Sequence, residues 1–219
     1  MAGTGFVPTA EAAFIAGLSD KQIQRVVDEH IIEMPLIQQE NGRRYARLAA
    51  AFAKFYFDFE DVLTAAARRD AIKQVAKRVL DRSDVADLMA LNISPMIMSW
   101  DVEVKQLQVT FLRHVVDAQS RAAQVDAANR AIVEDEAILG GVPVFQGTRV
   151  PVDTVVAMAR SGQAFASLKD HYPFLTPQLL QAGEIYQSVH PRRGRPTKAI
   201  SKDWKLRSRK TIRPGTKAV

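Results

Sequence analysis

The sequence predicts a mainly α-helical chain with a helix-turn-helix at its N-terminal end. A β-hairpin and three short helices, again like a helix-turn-helix, close the C-terminal part before a basic tail. Three observations carry this. Helix stop and start signals recur at short intervals, at Gly17-Leu18-Ser19-Asp20, Ser161-Gly162 and Thr176-Pro177. Val142, Val144, Val150 and Val152 alternate about Gln146-Gly147, where glycine supplies the positive φ of a tight connection. From Pro191 onward, eleven basic residues face one acid, Asp203, so this end carries +10 and the rest of the +6 chain carries −4. The excess of positive charge belongs to the tail, and a uniformly basic, nucleic-acid-coating surface is excluded.

Taken in order, Thr9 opens a first helix with Ala12, Ala13 and Ile15, which yields at Gly17-Leu18. Ser19-Asp20 starts a second helix with Ile23, Val26 and Val27 on its inner face. Lys21, Gln22, Gln24 and Arg25 are left exposed near that helix start, the part that enters a major groove in such motifs. Pro35 ends the run, and Asn41-Gly42 marks a turn before Arg43-Arg44-Tyr45. An ordinary small helical domain with a basic hairpin has the same pattern. The aromatics Phe52, Phe55, Tyr56, Phe57 and Phe59 read as core; a base-stacking platform would want interleaved cations beyond Lys54.

Ala67, Ala71, Val75 and Val79 fall at helical spacing between Thr64 and Arg82. Residues 93–104 suggest a strand or two. A long helix follows with Val104, Leu107, Phe111, Val115, Ala118 and Ala122 on one stripe, buried against this chain or a second copy. Pro143 and Pro151 confine the valine hairpin to edge strands. Helices are then expected over 152–160, over Phe165, Leu168 and Tyr172 up to Pro173, and from Thr176-Pro177 to about Val189. In the last, Leu179, Leu180, Gly183 and Tyr186 face inward, while Gln178, Gln181, Glu184 and Gln187 face out. Gln178 and Gln181 are either readers of base edges or a solvated face that Glu184 makes unwelcoming to phosphate.

Catalytic patterns are missing from the sequence. His30, His114, His171 and His190 have no metal-ligand spacing, Glu134-Asp135-Glu136 reads as a solvated turn, and Gly140-Gly141 lacks the lysine of a phosphate loop. Zero cysteines leave neither disulfides nor thiolate ligands. The expectation is a non-enzyme with no metal, no cofactor, no membrane span and no secretory signal, in the cytoplasm.

Three motifs in order carry a resemblance. They are Gly140-Gly141-x-Pro143-Val144-Phe145-x-Gly147-Thr148-Arg149-Val150-Pro151-Val152, Tyr172-Pro173-x-Leu175-Thr176, and His190-Pro191-Arg192-Arg193-Gly194-Arg195-Pro196. Residues 132–196 resemble the antitoxin family catalogued as domain of unknown function 433, the VapB-type partners of PIN-like ribonuclease toxins; Gly183 departs from it where alanine is expected. Residues 6–58 resemble the MerR-type winged helix-turn-helix, and this likeness implies that Arg43, Arg44 and Tyr45 are wing contacts to phosphate. Together they imply four segments: a MerR-like domain at 1–82, a linking segment at 83–130 that is the candidate for dimerisation, an antitoxin domain at 131–190 and a toxin-binding tail at 191–219. The implied function is a type II antitoxin that neutralises the nuclease, represses its own operon by binding operator DNA and forms a homodimer. The alternative is a free-standing transcription regulator.

The tail has three readings. Pro191-Arg192-Arg193-Gly194-Arg195-Pro196 resembles an AT-hook, whose Arg-Gly-Arg core lies in a narrow minor groove. In the antitoxin resemblance Arg192, Arg193, Arg195, Arg207 and Arg209 instead plug the toxin's metal-binding carboxylates, with Trp204 and Leu206 as apolar anchors. A solubilising end is the plain alternative. The resemblance favours the toxin arm.

Overall fold

The computed structural model describes residues 5–32, 34–39 and 42–191. Strand β1 (Phe6–Pro8) leads into α1 (Thr9–Ala16), then α2 (Asp20–Asp28), β2 (Ile37–Gln38), β3 (Arg44–Ala46) and α3 (Arg47–Asp58). The cap before α1 is Pro8 rather than Thr9, which is already helical and makes no capping bond. Gly17 ends α1 at φ 64°, and its N–H bonds to the Phe14 carbonyl. Ser19 then starts α2 with a capping box: its hydroxyl accepts from the Gln22 N–H while the Gln22 side chain accepts from the Ser19 N–H. β3 is the centre of an antiparallel sheet, with Tyr45 opposite Val7 on one side and Ile37 on the other.

Thr64 caps α4 (Ala65–Leu80), which is followed by α5 (Val85–Ala90) and a 3₁₀ turn at Pro95–Ile97. A hairpin of β4 (Asp101–Val104) and β5 (Leu107–Thr110) precedes α6 (Leu112–Ala131). The long helix therefore begins later than its apolar spacing suggested. Lys105 and Gln106 both have positive φ, a tight reversal that no helix accommodates, so Val104 and Leu107 face each other across a hairpin. The stripe of Val115, Ala118, Ala122, Val125 and Ala128 is buried within this chain, because α6 lies against α1, α3 and the last helix. Phe111, just before α6, stacks on Phe55 at 3.9 Å and meets Phe52 edge-on, so the crowded aromatics are core.

Beyond α6 the chain makes β6 (Ile132–Val133), β7 (Val144–Phe145), α7 (Val152–Arg160), α8 (Phe165–His171) and α9 (Pro177–Val189). The valine hairpin is reduced to one bridge, Val144 to Pro151, and the ladder partner of β7 is β6. Two prolines remove the donors that a longer 142–152 ladder would need, and Ile132–Val133 supplies them. Val152 is already helical, its N–H bonded to the Pro143 carbonyl. Thr176 caps α9 through the Leu179 N–H, with Pro177 at the first position. Gln187 faces Asp153 rather than open water, donating to its carboxylate at 2.8 Å.

Gly183 sits where α9 crosses α7. A Cβ there would lie 3.1 Å from Val152 Cγ1, 3.2 Å from Val156 Cγ2 and 3.3 Å from the Phe145 ring. All three neighbours are buried, and β-branched valines turn poorly. Glycine here sets helix spacing and is no mere weak point in the helix. Gly183→Ala gains about 1 kcal/mol of helix propensity but suffers overpacking of about 1–3 kcal/mol. We expect a net loss near 1 kcal/mol in urea denaturation; a stabilised variant would overturn this reading.

One hydrophobic core runs from Val7 through Phe55, Trp100 and Val125 to Val189, and α9 packs on both α6 and α1. The segments at 1–82, 83–130 and 131–190 thus share a core. A charged cluster ties the N-terminal elements to α6: the Arg47 guanidinium meets Asp126 at 2.6 Å and Glu11 at 3.1 Å. Among the described residues no helix is long and apolar enough to cross a membrane.

Candidate nucleic-acid interface

The α1–turn–α2 unit and the β2–β3 hairpin carry exposed basic residues and are joined by the Arg43–Asp28 ion pair. Ser19 fixes the start of α2, and its inner residues Ile23, Val26 and Val27 lock the helix to the core. Lys21, Gln24 and Arg25 consequently point outward and are exposed. Gln22 does not join them. Its side-chain oxygen is taken by the Ser19 N–H at 3.0 Å and the Ser19 hydroxyl at 2.8 Å, so it is half-buried and serves the cap.

Arg25 bonds Glu29 one turn later at 2.7 Å and lies 5.4 Å from the centre of the Phe57 ring. That bond holds the Glu29 carboxyl below its ordinary range. On the hairpin, Arg43 bonds Asp28 at the end of α2 at 2.7 Å, which braces hairpin against helix. Arg44 is exposed and reaches the Phe6 carbonyl at 3.5 Å. Exposed pairs of this kind are worth only about 0–1 kcal/mol, so a phosphate can replace either carboxylate at little cost.

Tyr45 is a correction. Strand alternation turns it inward between Val7 and Ile37, leaving it 1% exposed, and burial pushes its phenol pKa up. Placed there it is core and cannot touch a phosphate. The structure leaves Lys21, Gln24, Arg25, Arg43 and Arg44 exposed, with Arg43 tied to the end of α2, and removes Gln22 and Tyr45.

At the other end, Gln178, Gln181 and Glu184 share the exposed face of α9. Tyr186 is buried, its hydroxyl donates to the Glu134 carboxylate, and its ring lies 4.4 Å from that of His190. Burial and then this bond raise the Tyr186 pKa. Arg192, Arg193, Arg195, Trp204, Leu206, Arg207 and Arg209 lie outside the described residues. No group of three or more histidine, aspartate or glutamate side chains is placed to hold a metal ion among the described residues. The sequence reading missed Glu11, Arg47 and Asp126; partners 79 positions apart leave no local trace.

Residues 132–186 match the family described as protein of unknown function (DUF433). Over 186 residues the chain is 31% identical to uncharacterized protein y4eO of Sinorhizobium fredii (strain NBRC 101917 / NGR234), covering 85% of this chain and 82% of that one. A comparison with solved structures finds Rv2018 from Mycobacterium tuberculosis at 20% identity, covering 81% of this chain and 96% of that chain. Its TM-score of 0.29 is too low to carry an argument.

Proposed function

The chain belongs to one family with the Sinorhizobium protein y4eO and carries a DUF433 segment at residues 132–186, and on that premise we propose that it is a DNA-binding antitoxin. In this reading it represses its own operon as a homodimer and neutralises a PIN-like ribonuclease. The observation that carries the DNA half is the exposure of Lys21, Gln24 and Arg25 along a rigidly capped α2, with the exposed Arg43 and Arg44 on the hairpin that Arg43 ties to the end of that helix. Such a helix enters a major groove by its first turns while a flanking hairpin touches the backbone. The toxin half rests on the motif resemblance at 132–196 and on the +10 charge after His190.

Proteins of this kind pair half-sites through two-fold symmetry, so a dimer on a two-fold operator is expected. Fluorescence anisotropy with DNA from upstream of the gene tests this. The Arg25→Ala/Arg43→Ala/Arg44→Ala variant is expected to weaken binding across sequences. The slope of log K against log salt should fall by about 0.9 for each phosphate lost, about 5 for a dimer. An unchanged affinity and slope would remove these residues from the mechanism.

A second reading has one observation in its favour: Arg193-Gly194-Arg195 flanked by Pro191 and Pro196 has the form of a minor-groove arm. A free-standing regulator with such an arm would bind A·T-rich DNA through its tail and protect against no nuclease. Co-expression with the product of the adjacent gene, followed by growth and pull-down, separates the two.

A further inference from the structure

A cleft of about 440 Å³ lies between α1, α3 and α6, lined by none of the residues assigned to DNA and unused by the reading above. Its floor is apolar: Ile15, Ala16, Ala51 and Ala118, all buried, with Phe59 at one side. Its rim is charged, and the charges are distributed unevenly. At one end Lys54 bonds Asp58 at 2.7 Å, and the mostly buried His114 meets the same carboxylate at 3.3 Å. Arg113 stands 3.9 Å from Asp117 along the rim. At the other end Arg121 donates to a neutral acceptor, the Phe14 carbonyl in the last turn of α1, at 3.1 Å.

We propose that this cleft binds a hydroxylated aromatic monocarboxylate and that its occupancy is transmitted to α2 through Arg121. The carboxylate goes to Arg121, whose planar fork holds such groups bidentately and gains more from an anion than from a carbonyl. With Asp58 matched by Lys54 and Asp117 by Arg113, Arg121 leaves the rim one positive charge in excess, which suits a guest of one negative charge. A flat ring fits the floor of alanine and isoleucine. A hydroxyl at the far side donates to Asp58 and accepts from Lys54. Arg121 and His114 are seven residues apart on α6, about 10 Å along its axis. That separation leaves room for one ring between the two ends of the cleft.

The transmission follows from what Arg121 holds. Its guanidinium lies against Gly17, close enough that a Cβ there would be 2.8 Å from Nη1. Gly17 and Leu18 form the turn into α2, and their N–H groups bond to Phe14 and Ala13. A carboxylate that draws Arg121 off the Phe14 carbonyl loosens that turn from α6. In this way the ligand reaches the helix offered to DNA. The site itself does not depend on the DNA-binding reading; only the regulatory use of it does.

The test uses the full chain, labelled at isoleucine and alanine methyls and at backbone amides, with 4-hydroxybenzoate as probe and no DNA present. p-Cresol serves as the uncharged control and terephthalate as the dianion. The expected result is saturable shifts at the Ile15, Ala51 and Ala118 methyls and at the Gly17 and Leu18 amides, with both controls at least about tenfold weaker. Arg121→Gln should weaken the probe by about tenfold or more, and Ala118→Leu should block it by filling the floor. Ala118→Leu keeps the test sound if Arg121→Gln fails to fold. No saturable shift at millimolar probe, shifts confined to another surface, or equal binding of p-cresol each overturn the site. Methyl shifts without change at Gly17 and Leu18 overturn the transmission. Failure of the DNA-binding reading would appear elsewhere, as absent operator binding with these shifts intact.

Discussion

Truncation after Pro191 is expected to abolish neutralisation of the partner nuclease while leaving the protein folded. Among the described residues the core extends to Val189, where α9 ends, so a chain stopping at Pro191 keeps that whole core and is expected to fold. What the truncation removes is the +10 charge, Trp204 and Leu206. In the proposed complex an arginine, Arg207 or Arg209, meets the metal-binding carboxylates and Trp204 fills a groove beside them. Charge-assisted bonds contribute about 1.5–3 kcal/mol each and a buried tryptophan anchor about 2 kcal/mol or more. Losing them together weakens affinity by several orders of magnitude. Circular dichroism should show an unchanged melt, calorimetry with the toxin should show binding lost, and co-expressing cells should stop growing. Growth equal to that with the full chain would place neutralisation in residues 132–190 instead.

The second large effect is on stability. Arg47→Ala should destabilise the protein by about 3–5 kcal/mol, because it strands Glu11, a buried carboxylate, and takes from Asp126 its bridge to α3. Urea denaturation measures this directly. The double variant Arg47→Met/Glu11→Leu is expected to recover most of the loss, since apolar groups of similar size often replace buried charges without penalty. A loss below about 1 kcal/mol in the single variant would mean that the cluster is solvated and incidental.

What the sequence disclosed was local. Ser19-Asp20 and Thr176-Pro177 are helix starts whose capping partners lie within three residues, and both cap as their chemistry predicts, whereas Thr9 does not. The exposed cations of α2 were legible for the same reason, from helical spacing alone. Errors arose where a distant segment decided the outcome. Ile132 and Val133 took the strand partner that Val150 and Val152 were expected to be, and nothing near Val144 announces it. Val104 and Leu107 match a helical stripe by spacing, yet Lys105 and Gln106 turn the chain back. Tyr45 was readable with more care: in a strand, if Arg44 faces water then its neighbour faces the core. Gln22 was readable too, as the fourth residue of a capping box. Gly183 was not, because its reason is the approach of Val152 and Val156 from another helix.

The seating of α9 on both α6 and α1 has a mechanical meaning. Drawing α9 away uncovers the faces of α6 and α1 on which it packs. Among the described residues no separate folded unit remains to halt the process, since the core is continuous from Val189 back to Val7. Pulling α9 away therefore dismantles the α1–α2 region in the same event. In the proposed complex a partner bound after Pro191 would oppose that pull, so the durability of the N-terminal half would be set at the opposite end of the chain.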